Sequence, residues 1–201
     1  MTRMTFPRKL PVLIVGGVAL SGKTTLAKGI VQASPVSAEF IEGDSLHEET
    51  SIEKMRFGTP LDESDRSVWK TRICHAIEES PADRLRVITC SALSRSFRDD
   101  LRACGELRFV FLLIRHEVAR QRAQRRFQDT RGHLQYEPGH RPHYFQPALY
   151  PELLEGQFRD LEAPRHPDTP GHPEHDCLIL PAEEATPHDD KVAQVLHWLG
   201  L

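Results

Sequence analysis

Gly17-Val18-Ala19-Leu20-Ser21-Gly22-Lys23-Thr24 satisfies the pattern G-x-x-x-x-G-K-[ST] directly behind the apolar run Leu10 to Val15. A buried parallel strand over 12–15 feeding this turn, with a helix from about Lys23, makes a phosphate-binding loop. The two glycines let successive backbone N–H groups face one anion. The unpaired amides and positive dipole end of the following helix favour phosphate. Lys23 brings a mobile positive charge to the β- and γ-phosphates, and the Thr24 hydroxyl can bind Mg²⁺. An ordinary strand-to-helix turn would explain the glycines but not Lys-Thr at this offset. Residues 17–24, with Thr25 beside them, are therefore the expected ATP contacts.

At 201 residues and 39% hydrophobic content, the chain is long enough for one well-buried α/β domain and short for two, so 1–201 reads as a single domain. A net charge of -3 argues against a nucleic-acid or membrane-surface protein. No apolar run approaches the ~20 residues that span a bilayer. The basic and apolar N-terminus mimics a secretory signal, but cleavage would remove the phosphate loop. Cys74, Cys90, Cys104 and Cys177 include no C-x-x-C pair, which predicts reduced thiols in a cytoplasmic protein. Asparagine is absent, and with it the N-K-x-D guanine-reading motif.

Outward from the loop, a helix over 23–33 is followed by a strand at 39–42 running into Gly43-Asp44-Ser45-Leu46-His47. A glycine at a strand end delivers polar side chains to the carboxyl edge of a parallel sheet, where open α/β sheets bind ligands. Helices are expected over 52–57 and 63–79, a strand over 86–89 leading to Cys90-Ser91-Ala92-Leu93, a helix over 95–103 and a strand over 108–114. A helix over 148–161, a strand over 177–180 and a helix over 189–199 close the chain. This alternation predicts a three-layer α/β fold, a five-stranded, mainly parallel sheet with helices on both faces. Neither the strand over 86–89 nor the strand over 108–114 ends in Asp, so a small-molecule kinase is favoured over a motor or transporter ATPase.

Arg122 and Arg126 lie four apart on one face of an Arg-rich helix over 117–127. The polar stretch 128–147, broken by Gly and Pro, reads as a flap, and arginines at its base suit a lid over about 122–147 that closes on ATP and supplies charge to the transition state. A solvated basic face is the bland alternative. Asp44 is placed to accept a hydroxyl proton or to hold Mg²⁺; otherwise it caps a turn. Arg66 can grip a carboxylate, with Lys54 or His47 adding a donor, or it forms a surface pair with Asp62 or Asp65. The histidines at 133, 140, 143, 166, 172 and 175 have no zinc-ligand spacing.

With these landmarks in place, the chain resembles the gluconokinase family of P-loop, nucleoside-monophosphate-kinase-like enzymes. The resemblance runs through the phosphate loop, Glu42 to His47, Ile52 to Met55, Gly58 to Leu61, Asp65-Arg66 with Trp69, Cys90 to Leu93 with Phe97-Arg98-Asp99, His143-Tyr144-Phe145, and Gln157-Phe158 before Leu161 to Pro164. It implies ATP and Mg²⁺ as cofactors, with Thr24 and Asp44 at the metal, and phosphorylation of D-gluconate to 6-phospho-D-gluconate. The catalytic set is then Lys23, Asp44, Arg122 and Arg126, and gluconate meets Asp44, His47, Lys54, Arg66 and Arg98. A homodimer stays open. Departures are Ala19-Leu20, where the family usually has Ser-Gly, and Ser94, where it commonly has Lys. A shikimate or nucleoside-monophosphate kinase is the alternative enzyme, and a catalytically silent nucleotide-binding regulator the alternative outside enzymes.

Overall fold

A computed structural model of the chain describes residues 10–56, 59, 61–130, 150–165, 173–183 and 186–201. Five strands, β1 (Val12–Gly16), β2 (Ala38–Glu42), β3 (Leu85–Thr89), β4 (Leu107–Leu113) and β5 (Cys177–Pro181), form one sheet in the order β2-β3-β1-β4-β5, and every neighbouring pair is parallel. β1 lies at its centre and all five of its residues are buried. That burial explains why its sequence is apolar without alternation.

Side chains along each strand alternate between two cores. Leu13 and Val15 of β1, with Val110 and Leu112 of β4, face one core; Val12, Ile14, Phe109 and Phe111 face the other. The first core is covered by α1 (Lys23–Ala33) through Leu26 and Ile30, α5 (His116–Thr130) through Ala119 and Ala123, α6 (Tyr150–Arg159) through Leu154, and α7 (His188–Leu199) through Val192 and Val195. The second is covered by α3 (Glu63–Glu78), which inserts Trp69, Ile73 and Ile77, and α4 (Arg95–Arg102), which inserts Leu101. A short α2 (Glu49–Arg56) precedes α3.

Thus β1 hands the chain to a helix on one face, and its neighbour β3 hands it to a helix on the other. Their divergence opens a crevice at the carboxyl edge between them, the usual ligand position in such sheets. A 3₁₀ turn over Gly43–Leu46 at the end of β2 borders this crevice. It comes so close to β3 that a Cβ on Gly43 would sit 1.9 Å from the Thr89 carbonyl oxygen, which only glycine allows.

Two expectations change. α5 continues to Thr130, so residues 128–130 extend a helix instead of starting a flap; helical hydrogen bonding tolerates the polar tail once Ala119 and Ala123 anchor the helix. The rest of the expected lid, His143-Tyr144-Phe145 included, lies outside the described residues. Second, four reduced thiols are not what forms: Cys74 of α3 and Cys104, just after α4, are joined in a disulfide, their Cα atoms 5.3 Å apart across 30 residues of sequence. Only Cys90 and Cys177 remain free, both buried. Thiol titration of the denatured, unreduced protein should therefore count two thiols, rising to four after reduction; four before reduction would contradict the bridge.

Candidate active site

The phosphate loop is held at both ends by its neighbours. Gly17 N donates to Ser91 O (3.1 Å), Cys90 N to Val15 O (3.1 Å), and Ala19 N to Gln157 Oε1 of α6 (2.6 Å). Gly17 has φ +133°, and a Cβ there would stand 2.6 Å from the Leu112 carbonyl oxygen, so this position must be glycine. Gly22 starts α1 in the left-handed conformation, and no side chain caps the helix. The first-turn amides are thus left to a ligand. Lys23 Nζ donates to Gly17 O and Val18 O, both at 2.9 Å, which curls the ammonium over the loop. Thr25 is exposed on the first turn.

Opposite the loop, the end of β2 presents Glu42 and Asp44. Thr24 Oγ1 donates to Glu42 Oε2 (2.8 Å), while the other oxygen of Glu42 accepts from Thr89 Oγ1. Thr89 Oγ1 in turn accepts from Gly43 N (3.1 Å). Burial pushes the Asp44 carboxyl up to about 6; the Lys23 ammonium pulls against this, and the negative charge of Glu42 adds to it. Burial likewise lowers the Lys23 ammonium, opposed by the charges of Asp44 and Glu42. A cation and two carboxylates therefore share one half-buried crevice, and their ionisation is mutually dependent.

Beyond the turn, three aromatic rings are stacked in succession. His47, buried at the end of the turn, stacks on Trp69 at 4.6 Å between ring centroids, and Trp69 on Phe97 at 5.6 Å. Trp69 Nε1 donates to Gly43 O (2.8 Å), which ties α3 to the turn. Burial lowers the His47 imidazole to about 4, with Asp65 opposing and Arg72 assisting, so it is neutral throughout the physiological range.

The other expected residues divide. Arg122 reaches the loop from α5, donating to Leu20 O (3.0 Å) and to Ala182 O (2.8 Å). The Arg126 side chain lies outside the described residues. Arg66 is exposed one turn before Trp69, and its expected surface partners are engaged elsewhere: Asp62 and Asp65 form a reciprocal capping box at the start of α3 and both accept from Lys54. Lys54 Nζ is 2.6 Å from Asp65 and 3.1 Å from Asp62. It joins α2 to α3, a placement that does not favour the expected substrate contact. Arg98 requires a correction, because its side chain is 1% exposed and is bound to Glu174 against the second core, which presents none of its donors to the crevice. Glu42 and Gln157 enter the sequence reading only within the stretches that carry the resemblance and Thr89 only as a strand end, with no role for any of the three; Glu42 stands at a strand end two residues before Asp44, the one local signal of its position.

Could these residues hold Mg²⁺? Thr24, Glu42 and Asp44 offer only hard oxygen donors, and Ser21 Oγ in the loop is buried without a partner among the described residues. Hard oxygens from one or two carboxylates, completed by phosphates and water, are what Mg²⁺ takes. The residues fit.

No family model matches the sequence. Individual relatives do. The chain is 37% identical to the gluconokinase of Gluconobacter oxydans, over 76% of this chain and 75% of that protein, and 30% identical to a probable gluconokinase of Saccharomyces cerevisiae over 89% and 85%. Among solved structures, a gluconokinase from Sinorhizobium meliloti superposes with a TM-score of 0.69 at 32% identity, over 96% of this chain and 93% of that one. A shikimate kinase from Bacteroides thetaiotaomicron, at 17% identity and TM-score 0.52, shares the fold.

The position of Asp44 makes a pH prediction with a definite sign. Its folded-state value, about 6, lies above its ordinary 3.8, so the fold favours the protonated form; the stability from that preference is complete below pH 3.8 and lost as pH rises through about 6. Asp44→Asn, uncharged at every pH, should therefore melt higher than the parent at pH 7 and lose that advantage below pH 4. Its turnover should fall by roughly 10²- to 10⁴-fold, and the parent's kcat/KM should drop below about pH 6. Melts and pH–rate profiles of both proteins check this; a parent acid limb near pH 4 would contradict it.

Proposed function

The chain belongs to the gluconokinase family, and from that premise we propose that it transfers the γ-phosphoryl group of ATP to the primary hydroxyl of D-gluconate, giving 6-phospho-D-gluconate. The observation that carries the reading is the convergence of Lys23, Asp44 and the Thr24–Glu42 pair on the crevice beside the uncapped start of α1.

Thr24, its hydroxyl oriented by Glu42, would hold Mg²⁺, with Asp44 steering the ion through water so that its carboxylate stays available as a base, and the bound ion would supply neutralisation of phosphate charge. The loop amides and Lys23 cradle the β- and γ-phosphates. Arg122, fixed against Leu20 O, adds positive charge on the far side of the loop. Asp44 accepts the proton of the attacking hydroxyl; a carboxyl poised near 6 is ionised at neutral pH yet basic enough for the task. Neutral His47, backed by Trp69, and exposed Arg66 form the acceptor side, where Arg66 pairs with the sugar-acid carboxylate. Arg126, one turn beyond Arg122, joins this charge in the same reading. Among the described residues no helix is long and apolar enough to cross a membrane.

A coupled assay of ADP release across sugar acids, polyols, shikimate and nucleoside monophosphates tests the assignment, with ³¹P NMR identifying the product. Gluconate should be the preferred acceptor and the 6-phosphate the product. Arg66→Ala should raise KM for gluconate while changing an uncharged polyol of similar length much less. Preference for shikimate or a nucleotide would overturn the substrate; equal losses on acid and polyol would move the carboxylate grip away from Arg66.

A further inference from the structure

Arg98 combines features that a stabilising ion pair alone does not require. All five of its N–H donors are used: Nε and Nη2 on Glu174 (2.8 and 2.6 Å), Nη1 on Ala92 O and Leu93 O (both 2.9 Å), and Nη2 again on Glu162 O (2.9 Å). Arg98 is 1% exposed and Glu174 5%. Burial raises the Glu174 carboxyl, but hydrogen bonds and charge from Arg98 and Arg102 outweigh this and hold it ionised below its ordinary range. Arg102 extends the cluster to Asp176, before β5.

The two carbonyls under Nη1 belong to the turn that leaves β3. Ala92 there has φ +45°, a left-handed conformation that a residue with a Cβ enters at a cost. Immediately before it, Ser91 O accepts from Gly17 N, and Cys90 N donates to Val15 O. Three consecutive residues thus connect the guanidinium to the entry of the phosphate loop. The guanidinium also lies 5.6 Å from the ring centre of Phe111, and that ring abuts Gly16 at the same entry.

We propose that Arg98 is a positioning residue for phosphoryl transfer: from inside the core it holds Ala92 in its left-handed conformation, and through Ser91 it fixes where the phosphate loop begins. Glu174 is its counterion. The inference rests on the kinase reading above, and it replaces the expected substrate contact of Arg98 with an action at one remove.

Arg98→Lys keeps the charge that Glu174 needs but replaces a planar fork with a point donor. The variant should fold with a lowered Tm. Its kcat should fall by about ten- to a hundredfold, and ATP binding measured by calorimetry, which does not depend on the acceptor, should weaken. Adding Ala92→Gly should recover much of both losses, because glycine adopts this conformation unaided, while leaving Tm low. A folded Arg98→Lys protein with the parent's turnover and ATP affinity would overturn the proposal, as would losses that Ala92→Gly does not relieve. Should Arg98→Lys fail to fold, Glu174→Gln decides: it spares the contacts to Ala92 and Leu93, so turnover should stay within a few-fold of the parent despite a lower Tm, and turnover that collapses would overturn the proposal. Failure of the gluconate assignment would appear separately, in the parent protein's acceptor profile.

Discussion

A half-buried ammonium facing a half-buried carboxylate is the constraint around which this structure is arranged. Lys23 and Asp44 are both drawn out of water, each disfavoured in its charged form and each favoured by the other. Such a pair persists only where the backbone over-determines it. Here the backbone does so twice. The phosphate loop is bound by Ser91 O and Gln157 Oε1, and the turn after β2 is bound to Thr89 and Trp69. The parallel sheet supplies the register: Glu42 lies opposite Thr89, so β2 and β3 end together where their side chains can meet. The result is a set of charges fixed by the fold, the preorganisation that the proposed phosphoryl transfer requires.

The phosphate loop also shows how a departure from a family pattern can be absorbed. Leu20 stands where relatives of this kind usually carry glycine, and it keeps φ +64°. A residue with a Cβ pays about 1–2 kcal/mol for that conformation. The flanking contacts account for its retention: Ala19 N is held by Gln157 and Leu20 O by Arg122. α6 and α5 therefore hold the peptides on either side of the Ala19–Leu20 pair, which fixes Leu20 in this conformation without glycine. At the other departure, Ser94 caps α4 by accepting from Phe97 N (3.2 Å); a lysine there could not do this.

Much of this architecture was legible in the sequence, because its signals are local. Apolar runs marked β1, β4 and β5, shorter apolar pairs between polar residues marked β2 and β3, the spacing of Gly22, Lys23 and Thr24 marked the loop, and a glycine at a strand end marked Asp44. What escaped was non-local. Sequence gives the charge of Arg98 but not its burial, and its counterion lies 76 residues away. Glu42 acquires meaning only from Thr24 and Thr89, 18 and 47 residues distant. Cys74 and Cys104 have no motif spacing, yet packing of α3 beside α4 brings them together. Lys54 looked like a free donor because the Asp62–Asp65 capping box that engages it is a property of the helix start, read only once α2 and α3 are side by side.

The mutual dependence of Lys23 and Asp44 can be measured directly by following the Asp44 side-chain carboxyl by ¹³C NMR through a pH titration, in the parent and in Lys23→Met. The midpoint should be about 6 in the parent. It should be higher in Lys23→Met, because the opposing positive charge is gone while burial and Glu42 remain. A midpoint near the ordinary aspartate value of 3.8 in the parent, or one that Lys23→Met leaves unmoved, would contradict this picture.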